Sequence, residues 1–173
     1  MTGPTGPTQD TKCDCCIEPL ENVISQVIAL AEAGDSYTIG SLDQNTGGYN
    51  NAINLALAGD ILTFNVGANR LAVPLCKVTG IAGPHVNEVE LMPSVPSTGE
   101  CACCEEPVTD FISGLASADW TVQGTIFDNI QNAPVVDFGE GIVIINAGGQ
   151  LGYSAISTCQ ISEIQNFTFR NTI

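Results

Sequence analysis

The sequence predicts a mainly β protein with helices, arranged as two tandem small barrels of one helix and four or five strands each. Three observations lead to this fold class. A cysteine pattern occurs twice, each copy is followed by apolar residues at three- and four-residue steps, and short alternating runs with tight turns come next. Short strands at even spacing are typical of small closed or half-open barrels.

The duplication is visible in the cysteine-bearing segments. Residues 13–25 read CDCCIEPLENVIS and residues 101–113 read CACCEEPVTDFIS, with seven of thirteen positions identical and no gap. A lone cysteine follows each cluster, in CKVTGI and CQISEI. The period of 88 residues indicates a tandem duplication. It divides the chain into a tail at 1–12, repeat 1 at 13–81, a linker at 82–100 and repeat 2 at 101–173.

Each cluster is followed by a Glu-Pro pair, which favours the start of a helix. Proline suits the first helical turn, and an acid there faces the positive end of the helix dipole. In repeat 1 the apolar stripe continues for about four turns and stops near Gly34. The helix of repeat 2 is shorter, is weakened by Gly114 and ends before Trp120, which we expect in the core or an interface.

Strands follow each helix. In repeat 1 they are predicted at 37–42, 52–57, 61–66 and 71–76, and in repeat 2 at 121–127, 135–138, 142–145, 153–157 and 161–169. The stretch between the repeats contains Pro84, Pro93 and Pro96, and it is predicted as a linker. Its apolar residues are alternatively predicted to form one extra strand, through Val86, Val89, Leu91 and Met92.

Composition excludes several function classes. The chain has a net charge of −15 and only four basic residues, which argues against binding to nucleic acid or to an anionic membrane surface. It contains no apolar run of about 18 residues, the length a membrane-spanning helix needs. Residues 1–8 lack the basic and apolar regions of a secretory signal, and the 44% apolar content argues against disorder.

The cysteines are the candidate functional residues. Three interpretations remain open: disulfides within and between chains, a four-thiolate metal site in each repeat, and free or redox-active thiols. Disulfides are favoured, because the count is even and the ligand spacing suits zinc poorly. No metal or other cofactor is therefore expected. The predicted cross-linking residues are Cys13, Cys15, Cys16, Cys76, Cys101, Cys103, Cys104 and Cys159.

Catalytic patterns are absent from the sequence. His85 is the only histidine, it lies in the proline-rich segment, and a surface position is expected for it. No glycine-rich loop precedes Lys12 or Lys77 as in a phosphate-binding loop. The acidic residues, including Glu105 and Glu106, are expected to be solvated. We therefore predict that the protein is not an enzyme.

The order of elements resembles that of Sm-like and SH3-like barrels. The resemblance covers residues 17–81 and 105–164 and includes the closing run VPLCKVTGI. It implies ring-forming or stacked assembly through edge strands. Sm-like proteins often bind RNA, but the basic and base-stacking residues for that activity are not recognisable here.

Residues 3–8, GPTGPT, are two collagen-type triplets, and the alternative interpretation of this tail is simple disorder. With the Cys-x-Cys-Cys units they are similar to cysteine-rich, collagen-triplet-bearing surface proteins of spore-forming bacilli, found in the coat, exosporium or appendages. This resemblance implies a structural subunit of a disulfide-cross-linked fibre or layer at the spore surface or outside the cell. Its partners would be copies of itself and other spore-surface proteins. The alternative function is a surface-displayed binding module, either a metal-thiolate protein or an adhesin.

Overall fold

The computed structural model describes residues 13–43, 45–93 and 98–171. A π-turn, Cys13–Ile17, leads into helix α1, Glu18–Leu30, and in repeat 2 helix α2, Gly99–Cys104, leads into α3, Glu106–Ser113. The predicted tail at 1–12 lies outside the described residues. The duplicated cysteine clusters therefore stand on helical turns that precede the predicted helices.

Ten strands carry most of the fold and confirm that the protein is mainly β. They form one antiparallel sheet in the order β10-β6-β7-β8-β9-β5-β1-β2-β3-β4. Their bounds are β1 Tyr37–Ser41, β2 Gly48–Ala58, β3 Ile61–Val66, β4 Asn69–Pro74, β5 Val78–Ala82, β6 Leu115–Val122, β7 Ile130–Gly139, β8 Ile142–Asn146, β9 Tyr153–Ser157 and β10 Ile161–Phe169.

The sheet corrects the prediction of two separate small barrels. Within the described residues it is a single open sheet, with β4 at one edge and β10 at the other. Strand β9 of repeat 2 pairs with β5 of repeat 1, so each of these strands finds its second partner in the other repeat. A strand that needs a backbone partner on both sides can take it from a neighbouring unit as well as from its own.

The two repeats share one strand order, with β5-β1-β2-β3-β4 in the first and β10-β6-β7-β8-β9 in the second. Each lone cysteine lies in a short 3₁₀ turn, Leu75–Lys77 or Thr158–Gln160, between the last two strands of its repeat. Backbone hydrogen bonds match as well. The amide of Leu42 donates to Lys77 at 2.9 Å, and the amide of Gln123 donates to Gln160 at 2.8 Å. Cys76 and Cys159 therefore occupy equivalent places.

The predicted helix stripes face two apolar cores. In α1 the buried residues include Leu20, Val23, Ile24 and Val27, as the periodicity predicts. The shorter α3 buries Thr109 and Ile112. Trp120 lies in the second core, 1% exposed, with its indole N–H donating to the carbonyl of Ala133 at 3.4 Å.

The segment predicted as a linker packs against both repeats, and the carbonyl of Met92 accepts a hydrogen bond of 2.9 Å from the amide of Glu140 in repeat 2. Val86 and Val89 are buried in the first core, and a 3₁₀ turn spans Val86–Glu88. After Ala82, which ends β5, the described residues up to Pro93 contain no strand, so the alternative of an extra strand is wrong. The two buried valines pack into the core through their side chains, which does not require backbone strand pairing.

Candidate functional site: the cysteine junction between the repeats

The site begins at the π-turn that precedes α1. Cys15 and Cys16 lie on this turn and are 2% and 8% exposed. Their Sγ atoms are 3.9 Å apart, and neither is bonded to the other. Disulfide geometry disfavours a bond between adjacent cysteines, so Cys15 and Cys16 each bond a separate partner.

Both partners come from repeat 2. Cys15 forms a disulfide with Cys101 in α2, with the Cα atoms 5.6 Å apart. Cys16 forms a disulfide with Cys159 in the second 3₁₀ turn, with the Cα atoms 5.7 Å apart. The bonds close loops of 86 and 143 residues in sequence separation, so each joins one repeat to the other.

A hairpin turn of repeat 2 packs directly against the cysteine turn. Gly141, between β7 and β8, has a φ of 68°, and a Cβ at this position would collide with the carbonyl oxygen of Cys15. The carbonyl of Gly141 also accepts a hydrogen bond of 3.0 Å from the amide of Thr158. Glycine therefore allows the hairpin to support both the π-turn and the turn that carries Cys159.

Glu105 is a site residue that the sequence analysis missed. It was expected to be solvated, but it is buried and accepts a hydrogen bond of 2.5 Å from the hydroxyl of Thr158. Its backbone amide donates to Cys101, and its carbonyl accepts from the amide of Thr109. Glu105 thus links α2, α3 and the 3₁₀ turn that carries Cys159. Its position in repeat 1 is occupied by Ile17, so the duplication contains no signal for this role.

The strands beside the disulfides complete the junction. Strand β5 pairs with β9 through Gly80–Ile156, Ile81–Ala155 and Ala82–Ser154. A Cβ on Gly80 would lie 2.6 Å from the carbonyl oxygen of Ala155, so glycine permits this close approach. Phe127 of repeat 2 is 1% exposed and lies against Gly40 and Gly80 of repeat 1. Backbone pairing, an aromatic contact and two disulfides therefore hold the repeats together.

The outcome differs among the eight predicted cross-linking cysteines. Four form the two disulfides, and Cys76 is exposed with a free thiol. The side chains of Cys13, Cys103 and Cys104 lie outside the described part of the structure. Cys76 and the Cys16–Cys159 bond line the same cavity of about 350 Å³.

The arrangement also bears on the metal-thiolate alternative. The Sγ atoms of Cys15, Cys16 and Cys159 lie within 4.8 Å of one another, which is a spacing that could hold a metal ion. Each of these sulfur atoms is bonded in a disulfide, however, and metal ligation requires the thiolate. In this oxidised state the three sulfurs therefore act as cross-links.

Within the described ranges, the two edges of the sheet are β4 and β10, the counterparts of β9 and β5, and each pairs with a strand on one side alone. Counting back four residues from Cys76 and Cys159 matches Ala72 in β4 with Ala155 in β9. Ala155 is fully buried where β9 pairs with β5, whereas Ala72 is exposed. Counting forward six residues matches buried Ala82 in β5 with exposed Gln165 in β10. The compared positions are therefore buried where the two repeats meet and exposed at the edges of the sheet.

The surfaces beside the edges show the same contrast. The β7–β8 turn is buried against the cysteine turn, while its counterpart at 58–60, between β2 and β3, is exposed. Phe167 and Phe169 of β10 and Phe111 of α3 form an exposed cluster with ring centroid separations of 5.2–5.9 Å. Exposed apolar clusters of this kind mark interaction surfaces.

Two polar side chains, His85 and Asp119, connect neighbouring segments of the chain. The ring of His85 contacts Glu88 at 3.0 Å and Asp35 at 3.3 Å, and the hydrogen bond to Glu88 is the main cause of a raised His85 pKa. In β6, Asp119 accepts hydrogen bonds of 2.6 Å from the side chain of Asn166 and the amide of Asn132. These bonds lower the pKa of Asp119 and connect β10 to β6 and β7.

Comparison of the chain with protein-family models, curated proteins and solved structures found no match. Among the described residues, every helix is too short or too polar to cross a membrane.

Proposed function

We propose that the protein is a structural, self-assembling subunit whose copies join head to tail. In this arrangement β4 of one copy pairs with β10 of the next. The observation that carries the proposal is the pairing of β9 with β5 inside the chain, because β9 and β4 are equivalent strands, as are β5 and β10. The chain would then repeat between copies the contact that it makes within itself.

The register of the proposed contact follows from the internal one. Ile81 pairs with Ala155 inside the chain, and the equivalent pair between copies is Ile164 with Ala72. A groove of about 330 Å³ runs beside β4, lined by Tyr49, Ala72 and Val73 among others. Strand β10 of a second copy would fill this groove, and unpaired edges commonly accept such a strand.

Charge supports the same orientation. Two of the four basic residues, Arg70 and Lys77, lie in or directly after β4, on a chain with a net charge of −15. Glu163 lies in β10 at the position that corresponds to Gly80. The outer junction would therefore place a carboxylate near the basic edge, and such complementarity favours this pairing of edges. Since glycine allows β5 to approach the carbonyl of Ala155 closely, the Cβ of Glu163 would keep β10 farther from β4 at this position than β5 lies from β9.

A contact between two different surfaces is heterologous, and it forms a closed ring or an open filament depending on the rotation between copies. Both outcomes fit a subunit of a fibre or layer. We place this fibre or layer at the spore surface or outside the cell, and the support for that location is the two collagen-type triplets and the cysteine clusters in the sequence. Each five-stranded repeat would act as one unit of the assembly.

The mass of the native particle tests the proposal. Light scattering and negative-stain microscopy of the wild-type chain should show regular particles that are multiples of 18.0 kDa. Ala72→Asp places a carboxylate on the exposed β4 edge, and it should leave a folded 18.0 kDa monomer.

Ala56→Asp is the matched control. Ala56 is exposed and is linked to Ala72 across the sheet through Thr63, so it lies in the same cross-strand row but away from the edge. This variant should assemble like wild type. A monomeric wild type, or an Ala72→Asp chain that assembles as well as Ala56→Asp, would overturn the proposal.

A further inference from the structure

Among the cysteines whose side chains the structure describes, Cys76 alone is exposed and unbonded, although its counterpart in repeat 2 is bonded. Both residues lie in the 3₁₀ turn that follows the fourth strand of their repeat. Cys159 bonds Cys16 of the repeat whose β5 pairs with β9. The difference between the two cysteines is that, in the part of the chain that the structure describes, no repeat lies next to β4.

We infer that each junction between copies carries two disulfides, Cys76 to Cys104 and Cys13 to Cys103, in addition to the two disulfides within each chain. This inference rests on the proposed head-to-tail assembly. The duplication supplies the pairs, because Cys13, Cys15 and Cys16 correspond to Cys101, Cys103 and Cys104, and Cys76 corresponds to Cys159.

The internal bonds define a rule that can be transferred. The last cysteine of the cluster in repeat 1, Cys16, bonds the lone cysteine of repeat 2, and the middle cysteine, Cys15, bonds the first cysteine of the cluster in repeat 2. At the junction between copies, repeat 2 of the second copy takes the place of repeat 1, and repeat 1 of the first copy takes the place of repeat 2. Its last cysteine, Cys104, then meets Cys76, and its middle cysteine, Cys103, meets Cys13. The rule uses each of the eight cysteines once.

The local structure around Cys76 supports the transfer. The amide of Leu75 donates to Asp60 at 2.8 Å, and the equivalent amide of Thr158 donates to Gly141 at 3.0 Å. The turn that carries Cys76 is therefore held by its hairpin in the same way as the turn that carries Cys159. The exposed hairpin at 58–60 would pack on the cysteine turn of the second copy, as Gly141 packs on Cys15.

Formation of each bond requires an oxidant, for which a small-molecule disulfide such as oxidised glutathione suffices. The thiolate of Cys76 attacks this disulfide, forms a mixed disulfide and releases one small thiol. The thiolate of Cys104 from the next copy then attacks the mixed disulfide and releases the second small thiol. Two protein thiols and one small disulfide thus become one protein disulfide and two small thiols.

Isotope mixing separates bonds between copies from bonds within a chain. Light and ¹⁵N-labelled chains are mixed in equal amounts before assembly, oxidised with glutathione disulfide and digested after acidic residues for mass spectrometry. Linked peptides that contain Cys76 and Cys104, or Cys13 and Cys103, should include hybrid light–heavy pairs. Cys101, Cys103 and Cys104 share one peptide, and Cys15 and Cys16 share another, so the expected bonds join all the cysteine peptides into one linked species. Within it, the peptides that contain Cys15, Cys101 and Cys159 should always carry the same label, which is the internal control, whereas the peptides that contain Cys13 and Cys76 should carry either label.

Single variants assign the bonds, because Cys103 and Cys104 are adjacent in one peptide. Cys76→Ser should leave a maleimide-reactive thiol on Cys104, and Cys104→Ser should leave one on Cys76. Both variants should still form native particles, because the edge strands remain. A particle in which Cys76 stays a thiol, bonds Cys103, or bonds Cys16 of its own chain by exchange in the shared cavity would overturn the inference while leaving the proposed assembly intact. A monomeric chain would refute both.

Discussion

At the scale of single residues, the contact between the two repeats depends on a few side chains and glycines that allow a close approach. Cys15 and Cys16 are buried between them, and Gly80 and Gly141 allow backbone atoms of one repeat to approach the other closely. None of these residues is distinctive in isolation. Their importance comes from the neighbour that each one meets across the junction.

Loss of the Cys16–Cys159 bond should destabilise the chain. Removing a cross-link over a long loop increases the entropy of the unfolded state, so Cys16→Ser should lower the free energy of unfolding by about 2–4 kcal/mol. Cys76→Ser is the control, because this cysteine is exposed and unbonded, and it should change the same quantity by less than about 0.5 kcal/mol. Denaturant unfolding of unassembled chains measures both values, and equal losses would contradict the role of the bond.

Gly80→Ala should loosen the junction between β5 and β9. The new Cβ would lie 2.6 Å from the carbonyl oxygen of Ala155 and 3.2 Å from the ring of Phe127, so the strands must separate. We expect a loss of about 1–3 kcal/mol in the free energy of unfolding. At Gly114 the nearest atom would be 3.4 Å away, so Gly114→Ala should cost less than Gly80→Ala. Amide exchange in β5 and β9 should rise only in the Gly80 variant.

At the scale of elements, β10 is an edge strand that its own repeat must hold in place. Its backbone pairs with β6, and Asp119 adds bonds to Asn166 of β10 and Asn132 of β7. Both asparagines have positive φ values, at 46° and 47°, where asparagine is tolerated better than most residues. The carboxylate therefore supports two irregular points of the sheet beside the edge proposed to meet β4.

The stability that Asp119 supplies should depend on pH. Its folded pKa is lowered, first by the hydrogen bond from Asn166, so the contribution is complete above the unfolded pKa and is lost as the pH falls through the folded value. Asp119→Asn should therefore be less stable than wild type at neutral pH. The difference should close in strong acid. Thermal unfolding of both chains across this range checks it, and a difference independent of pH would refute it.

The long helix is predictable from its own sequence, whereas the short helical turns are not. The stripe of α1 and its Glu-Pro start are predictable from the sequence, because helix periodicity is a property of the segment itself. Helix α2 is not predicted as a separate helix from the sequence. The turn that carries Cys76 is assigned there to the end of a strand, and the turn that carries Cys159 is left between two predicted strands. Short turns of this kind take their conformation from neighbouring strands, and their sequences contain too few residues for a period.

At the scale of the whole molecule, the net charge of −15 opposes assembly of identical chains. Basic residues at the β4 edge offset this repulsion only locally. Screening weakens the long-range repulsion between copies more than the short-range pairing of strands, which relies on backbone hydrogen bonds. Moderate salt should therefore favour particles over free chains.

Sedimentation velocity of wild type at fixed protein concentration measures this effect. The assembled fraction should rise as sodium chloride is raised from about 0.01 M to about 0.15 M, because the Debye length falls from about 30 Å to about 8 Å. Ala72→Asp should show little assembly at either salt concentration. A wild-type chain that dissociates as salt is added would indicate that ion pairs, rather than strand pairing, dominate the contact.

The sequence by itself determined the mainly β class, the duplication, the helix stripes and the eight cysteines as the residues to examine. These features depend on local periodicity and on identity between repeats, and both can be read along the chain. Only the tertiary structure decided that one open sheet replaces two barrels, that Glu105 is buried, and that Cys16 bonds Cys159 and not the lone cysteine of its own repeat. The physical reason is that a strand edge and a thiol can each be satisfied by either repeat. The choice follows from how β5 and β9 pack, which joins residues far apart in sequence.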